Sequence, residues 1–466
     1  MSFIAYDLIF LLVFTLATII FLYNRRSNLK RQGLLYLYHT KFGIKVIERI
    51  SKQYAWILRP LQYVIITSGY LLMVVMVWMA VKLTYIYTKS PAFVQAVKIP
   101  PIIPLVPYLP ELFKVDYLPP LYFTYWIVVI AIIAISHEFA HGIFARLNNI
   151  RVKSTGFGFL GPFLAAFVEP DEKQMSKASK FAQLSVLGAG TFANVIMTLL
   201  FGLILAVFFM NSFTAAGVQF NSYTTAPLAV SSILTIAGMT PEAFLASTSI
   251  NNSLHEIIAL NGTYLVPGAS LKFALEKEAL QIIVYEDAPA VRADLRGPIL
   301  SIDGQPTRSI AELSAAIKTR QPGDTVILVV GEEKIKEIIN ITLAERDGKA
   351  YLGIGVVNPS RGALTGWIYT SIKLIKDPFI YYEPTWGGDF TWFIYYLLWW
   401  IVLINISVAL MNMLPVGIFD GGRFFYLSVW GITKNEKFAR RAFSFTTWLF
   451  IALAIWLMVR WVVAFI

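Results

Sequence analysis

The 466-residue sequence predicts a multi-spanning α-helical membrane protein with about six transmembrane helices, a membrane-associated β-hairpin and an extracytoplasmic α+β domain. Three observations carry that expectation. Apolar residues make up 57% of the chain and charged residues only 14%, against about 25% in an ordinary soluble domain, and mean hydropathy is +0.63. Long apolar runs recur, each close to the roughly 20 residues that cross a bilayer. The basic residues gather beside those runs, as on the cytoplasmic face of a membrane protein. That distribution, without any nucleic-acid-binding signature, argues against a nucleic-acid partner despite the net charge of +11.

Phe3–Tyr23 is the first span, lacking the basic start and small-residue cleavage site of a signal peptide. Arg25, Arg26, Lys30, Arg31, Lys41, Lys45, Arg49, Lys52 and Arg59, opposed only by Glu48, make the next loop cytoplasmic. Leu61–Tyr87 returns outward and completes an N-terminal two-span region, residues 1–90. Residues 91–120, with Ile99-Pro100-Pro101-Ile102-Ile103-Pro104, form an outer proline-rich loop, because proline interrupts helices. Leu121–Ala145 runs inward and is followed by Arg146, Arg151 and Lys153. Thr155–Val168, broken by Gly156, Gly158, Gly161 and Pro162, is too short to span and reads as a hairpin dipping into the membrane inside protein. Phe181–Met210 exits, closing a first part of the membrane core, residues 121–210.

Residues 211–360 change character. Charge rises, long apolar runs vanish, and Thr325–Val330 alternates like a strand, so this is an outer soluble domain. Sequons at Asn251, Asn261 and Asn340 agree with an outer location. Three similar hexads, Ile233–Gly238, Ile257–Gly262 and Ile299–Gly304, are either separate strand-turn units or traces of a duplication. Residues 361–430 are the second part of the core, with Trp392–Met413 running inward. Lys434, Lys437, Arg440 and Arg441 mark the cytoplasm, and Phe443–Ile466 is the last span, within a C-terminal region 431–466.

Cysteine is absent, which excludes disulfides, thiolate zinc sites, iron–sulfur clusters and a cysteine nucleophile. Of four histidines, His137 and His141 lie in His137-Glu138-Phe139-Ala140-His141. At i and i+4 on a helix, two imidazoles share one face and can grip one zinc ion, with the glutamate as general base. These ionisable residues sit inside an apolar run, where they are costly and mark function. Their bland reading is polar packing between helices. A catalytic zinc needs a third protein ligand and an open position. His39, in the first loop, and His255, in the outer domain, are poorly placed for it. Asp420 ends a long apolar run among Pro415, Gly417, Gly421 and Gly422 and is the better candidate, its bland reading being a loop aspartate capping the next helix. The inward direction of both spans puts all three ligands at one depth, on the cytoplasmic side of the midplane. A metal-binding transporter, an inactive membrane scaffold and a membrane zinc protease with glutamate as third ligand remain as alternatives.

His137-Glu138-x-x-His141-Gly142 on one span, Asn412-x-x-Pro415-x-x-x-x-Asp420-Gly421 on a later one and an outer domain between them resemble the site-2 proteases, intramembrane zinc metalloproteases, over roughly Leu121 to Trp430. The resemblance implies one zinc per chain on His137, His141 and Asp420, Glu138 as catalytic base, and Asn194 of Gly190-x-x-x-Asn194 binding substrate or steadying the oxyanion. It implies membrane-protein substrates cut within or beside a transmembrane helix, in the lipid bilayer, with the active site toward the cytoplasm. Thr155–Val168 matches the family's membrane-dipping β element. Asp287–Leu295, Ile299–Gly304, Pro322–Val326 and Tyr351–Ile354 are similar to a protease-type PDZ domain, with Arg296-Gly297-Pro298 in place of the usual Gly-Asp turn.

Overall fold

The computed structural model describes residues 3–33, 35–89, 100–112, 118–160, 163–246, 253–332, 335–356, 373 and 375–463. Parts of the proline-rich loop (90–99 and 113–117), the hairpin tip Gly161-Pro162, the sequon Asn251 and the boundary at residue 360 lie outside the described residues.

Six helices are long and apolar enough to cross a membrane: Phe3–Asn24 (α1), Ala55–Lys89 (α3), Phe123–Leu147 (α4), Lys180–Ser212 (α5), Asp389–Asn412 (α6) and Glu436–Val463 (α8). They coincide with the six expected spans. The last begins seven residues before its apolar run, where Asn435 Oδ1 accepts from the Phe438 amide (3.1 Å) and Glu436 pairs with Arg440 (2.7 Å). Their flanks leave large apolar side chains uncovered, with Leu71 63%, Leu203 64% and Trp448 68% exposed. In water each would cost about 2 kcal/mol; against lipid tails that cost disappears. The protein is a multi-pass membrane protein.

The chain forms two compact units, residues 1–205 with 393–466, and residues 206–392. In the first, α1 does more than anchor. Asp7, a buried carboxylate in this apolar helix, accepts hydrogen bonds from the amides of Phe123 (2.8 Å) and Thr124 (2.9 Å), the first residues of α4. The Thr124 and Tyr108 hydroxyls also donate to it, both at 2.5 Å. Free N–H groups at a helix start need acceptors, and here the cap comes from another helix.

The segment read as a basic cytoplasmic loop is largely ordered. Leu29–Gln32 (β1) and Leu35–Thr40 (β2) form a hairpin. β2 pairs with Val152–Leu160 (β3), which pairs with Phe163–Pro170 (β4), giving an antiparallel sheet in the order β1-β2-β3-β4. Ile44–Gln53 (α2) follows, turning Lys45, Arg49 and Lys52 outward and burying Ile47. Gly142 admits it, since a Cβ there would stand 2.9 Å from Ile47 Cδ1 and 3.1 Å from Val168 Cγ1. The Glu48–Arg146 pair, at 3.0 Å, closes the contact between α2 and α4.

The second unit contains two main sheets. One has the strand order 225–229, 281–286, 262–267, 254–259, 233–236. The other has 335–342, 325–332, 299–302, 213–218, 380–384, with 305–306 beside 299–302. Two of the three hexads share one geometry. Ile236 pairs with Ile257 after an irregularity at Ile233/Thr235, and Ile302 pairs with Leu328 after one at Ile299/Ser301. The following turns have φ of 47° and 78° at Ala237-Gly238, and 47° and 76° at Asp303-Gly304. In each, the first turn amide donates to the neighbouring strand at 2.8 Å, Ala237 to Glu256 and Asp303 to Ile327. The third hexad differs: Ile257–Gly262 runs across the hairpin in which Ala259 pairs with Gly262.

Candidate metal centre

The i, i+4 spacing puts His137 and His141 on one face of α4, with their Nε2 atoms 3.0 Å apart. Asp420 arrives from the other end of the chain. Proline cannot continue a helix; α6 stops at Asn412, before Pro415, and Asp420–Thr433 (α7) begins after a short turn. Gly421 and Gly422 let the turn fold back on itself. A Cβ on Gly421 would lie 2.4 Å from the Met413 carbonyl carbon, and one on Gly422 2.3 Å from the Val416 oxygen. Asp420 thus occupies the first turn of α7, where unpaired N–H groups favour an anion. Its Oδ2 is 3.4 Å from each Nε2.

The donor set suits a divalent cation. His141 Nδ1 stands 2.7 Å from the Val186 carbonyl oxygen, which can only accept, so Nδ1 carries the proton and Nε2 offers its lone pair. Asn194 is fully buried, with its Nδ2 3.0 Å from His137 Nδ1 and its Oδ1 without a hydrogen-bond partner. An imidazole offering Nε2 to a metal holds its proton on Nδ1, so the amide turned over, with Oδ1 on the ring, satisfies both groups. Two lone pairs and a carboxylate aimed at one point repel one another unless a cation lies between them. The point equidistant from the three atoms is about 1.9 Å from each, slightly inside the zinc–ligand length of about 2.0–2.1 Å. Room for the pair comes from α5, where a Cβ on Gly190 would fall 2.4 Å from His141 Nε2 and 2.6 Å from His137 Nε2. Among the described residues this is the one group of three or more such side chains able to hold a metal ion.

Glu138 faces the sheet. The Val168 amide of β4 donates to its Oε2 at 3.0 Å. A cavity of about 880 Å³ joins Glu138 to His137, His141 and Asp420 and continues along Phe167 and His39. His39, set aside in the sequence because it lay in an apparent loop, therefore reaches this cavity. The alternation Leu35-Tyr36-Leu37-Tyr38-His39 was the signal for its strand, obscured by the basic residues around it. Val186 and Val168 contribute only backbone groups, which no side-chain motif discloses.

Residues 125–457, well over half the chain, match the model of Peptidase family M50. The chain belongs to peptidase family M50, the site-2 protease family. A protein of Nostoc sp. provisionally named a zinc metalloprotease is 23% identical to this M50 chain over 341 residues, which are 66% of the chain and 85% of that protein. A protein of Methanocaldococcus jannaschii, whose name states no activity, is 30% identical over 192 residues, 39% of the chain. That match takes in 46% of the archaeal protein, so the M50 chain spans about half of it.

Proposed function

We propose that this M50 protein is an intramembrane zinc metalloprotease. It hydrolyses peptide bonds within or next to transmembrane segments of membrane proteins, as in regulated intramembrane proteolysis. One observation carries the reading: His137, His141 and Asp420 converge on one point, and Glu138 opens on the same cavity. The two imidazoles and the aspartate are the metal ligands. Zinc, when bound, supplies a Lewis acid that polarises the scissile carbonyl and acidifies water. Glu138 takes a proton from the attacking water and delivers it to the leaving amine. The Val168 amide occupies Oε2 and leaves Oε1 for that proton. In the turned-over orientation, with its carbonyl on His137, Asn194 has its amide nitrogen left to donate to the developing oxyanion.

β4 is an edge strand of its sheet. The Val168 amide points away from β3 toward Glu138, and by alternation so does that of Ala166. An unwound substrate segment adds to this edge as a further strand, with the hairpin dipping into the membrane on the cytoplasmic side. We further propose that residues 211–360 are an extracytoplasmic PDZ-like domain that screens substrates. A cavity of about 340 Å³ between the helix Ile310–Lys318 and Tyr351–Ile354 supports it.

The test is zinc content and cleavage of a model transmembrane substrate by purified wild type, Asp420→Ala and Glu138→Ala. About one zinc per chain in wild type and Glu138→Ala, zinc loss in Asp420→Ala, and cleavage by wild type alone are expected. Full zinc retention in Asp420→Ala would remove Asp420 from the ligand set, and metal flux in vesicles without cleavage would make the protein a transporter.

A further inference from the structure

The general base is held from one side by a strand, and that strand is held in turn by a histidine the motif does not include. Across the sheet, His39 of β2 stands opposite Gly156 of β3, which stands opposite Phe167 of β4. Gly156 leaves a gap: a Cβ there would sit 2.3 Å from the Tyr38 oxygen and 2.5 Å from Phe167 Cζ. Through it the His39 and Phe167 rings meet edge to face, with centroids 5.1 Å apart and planes at 71°. The Ser154 hydroxyl donates to Glu169 Oε2 at 2.6 Å. Its only proton is thereby used, so His39 Nδ1, 3.0 Å from Ser154 Oγ, is the donor of that pair. His39 Nδ1 also lies 3.7 Å from Glu169 Oε2. His39 therefore grips Phe167 through its ring and Glu169 through Ser154. Between them in the chain is Val168, whose amide holds Glu138.

On the protease reading above, we infer that His39 is a positioning residue for Glu138. It fixes the stretch Phe167-Val168-Glu169, so that the Val168 amide presents a stationary donor to Oε2 and the free oxygen faces the substrate. A displaced carboxylate leaves substrate binding unchanged, because Glu138 acts on the attacking water and the leaving amine rather than holding the substrate. The loss falls on the chemical step. His39 lies outside the segment that matches the family, residues 125–457, so the N-terminal hairpin adds a support to the catalytic core.

The experiment compares His39→Ala and His39→Asn, whose amide can replace Nδ1–H as donor to Ser154. His39→Ala should keep zinc at the wild-type level, lower kcat by about 10- to 100-fold and leave KM within about twofold, the pattern of a misplaced catalytic group. His39→Asn should recover most of the loss. Amide hydrogen exchange in the zinc-free chain gives a readout independent of catalysis: peptides covering 163–170 should exchange faster in His39→Ala and near the wild-type rate in His39→Asn. Unchanged kcat and exchange in His39→Ala, an effect confined to KM, or no difference between the two variants would overturn the assignment. Wild-type cleavage that is abolished by Glu138→Ala while His39→Ala stays fully active would sink this inference alone. Absence of any Glu138-dependent cleavage would sink the protease reading, leaving exchange to decide whether His39 orders the strand.

Discussion

The cavity has two walls built by different physics. The helical wall, from α4, α5 and α7, is dense and held by side chains: Gly190 fits against both imidazoles, Asn194 and Val186 hold the ring nitrogens, and Asp420 starts its own helix. The strand wall, β1 to β4, is held by backbone ladders and meets the site through the Val168 amide. On the proposed function, each material suits its task. A metal needs three atoms fixed to within about half an ångström, which packed helices provide. An extended substrate needs hydrogen-bond donors in a row, which an edge strand provides.

If the walls divide the work in this way, perturbing the helical wall should change metal content first. Gly190→Ala is the severest case, because the added methyl carbon would fall 2.4 Å from His141 Nε2 and 2.6 Å from His137 Nε2, on rigid rings. Zinc content should drop to background, and cleavage with it, in a chain that still inserts and folds. Zinc at the wild-type level would mean that α5 yields, and that the wall is softer than its packing implies.

Asn194→Ala probes the same wall from the far side of His137. It removes the partner of Nδ1 and leaves a buried ring nitrogen unpaired. Zinc affinity should weaken by about 10- to 100-fold, as for partners that orient metal-bound histidines. A competition titration with a zinc chelator measures it. Unaltered affinity with lowered kcat would instead assign Asn194 wholly to the oxyanion.

The helical wall was legible in the sequence because its chemistry is local. His137, Glu138 and His141 announce themselves by spacing, and Asp420 by a proline and two glycines that end an apolar run. The six spans were legible for a similar reason: a bilayer demands length and hydropathy, both countable. The strand wall was not. β1 and β2 carry Lys30, Arg31 and His39 among apolar residues, and charge density spoke louder than alternation. The partner of β2, β3, lies more than a hundred residues away, and no local pattern reports such a pairing. Asp7 was missed for the opposite reason: one carboxylate in an apolar helix looks like an exception until the amides of Phe123 and Thr124 are found against it.

Asp7 lends itself to a milder test, of how firmly α4 is seated. Asp7→Ala would leave the Phe123 and Thr124 amides without their acceptor, at a cost of about 1–3 kcal/mol. In detergent, thermal unfolding should occur several degrees lower, while zinc bound at low temperature stays near one per chain. Loss of zinc without loss of thermal stability would show instead that the start of α4 steers the metal ligands directly.

The smallest effect belongs to the strand wall. Proline at Ala166 deletes one outward amide and spares the ladder to β3, since the neighbouring amide of Phe167 is the one that faces inward. If substrate joins this edge as a strand, one hydrogen bond of about 1 kcal/mol is lost, and KM should rise about fivefold. Zinc content and kcat should remain close to wild type, because Val168 still holds Glu138. A substitution in the helical wall cannot produce this pattern, since anything that disturbs the ligands reaches zinc first. An unchanged KM in Ala166→Pro, with zinc and kcat intact, would mean that substrate enters without pairing to β4, and holding Glu138 would be the strand wall's one remaining role.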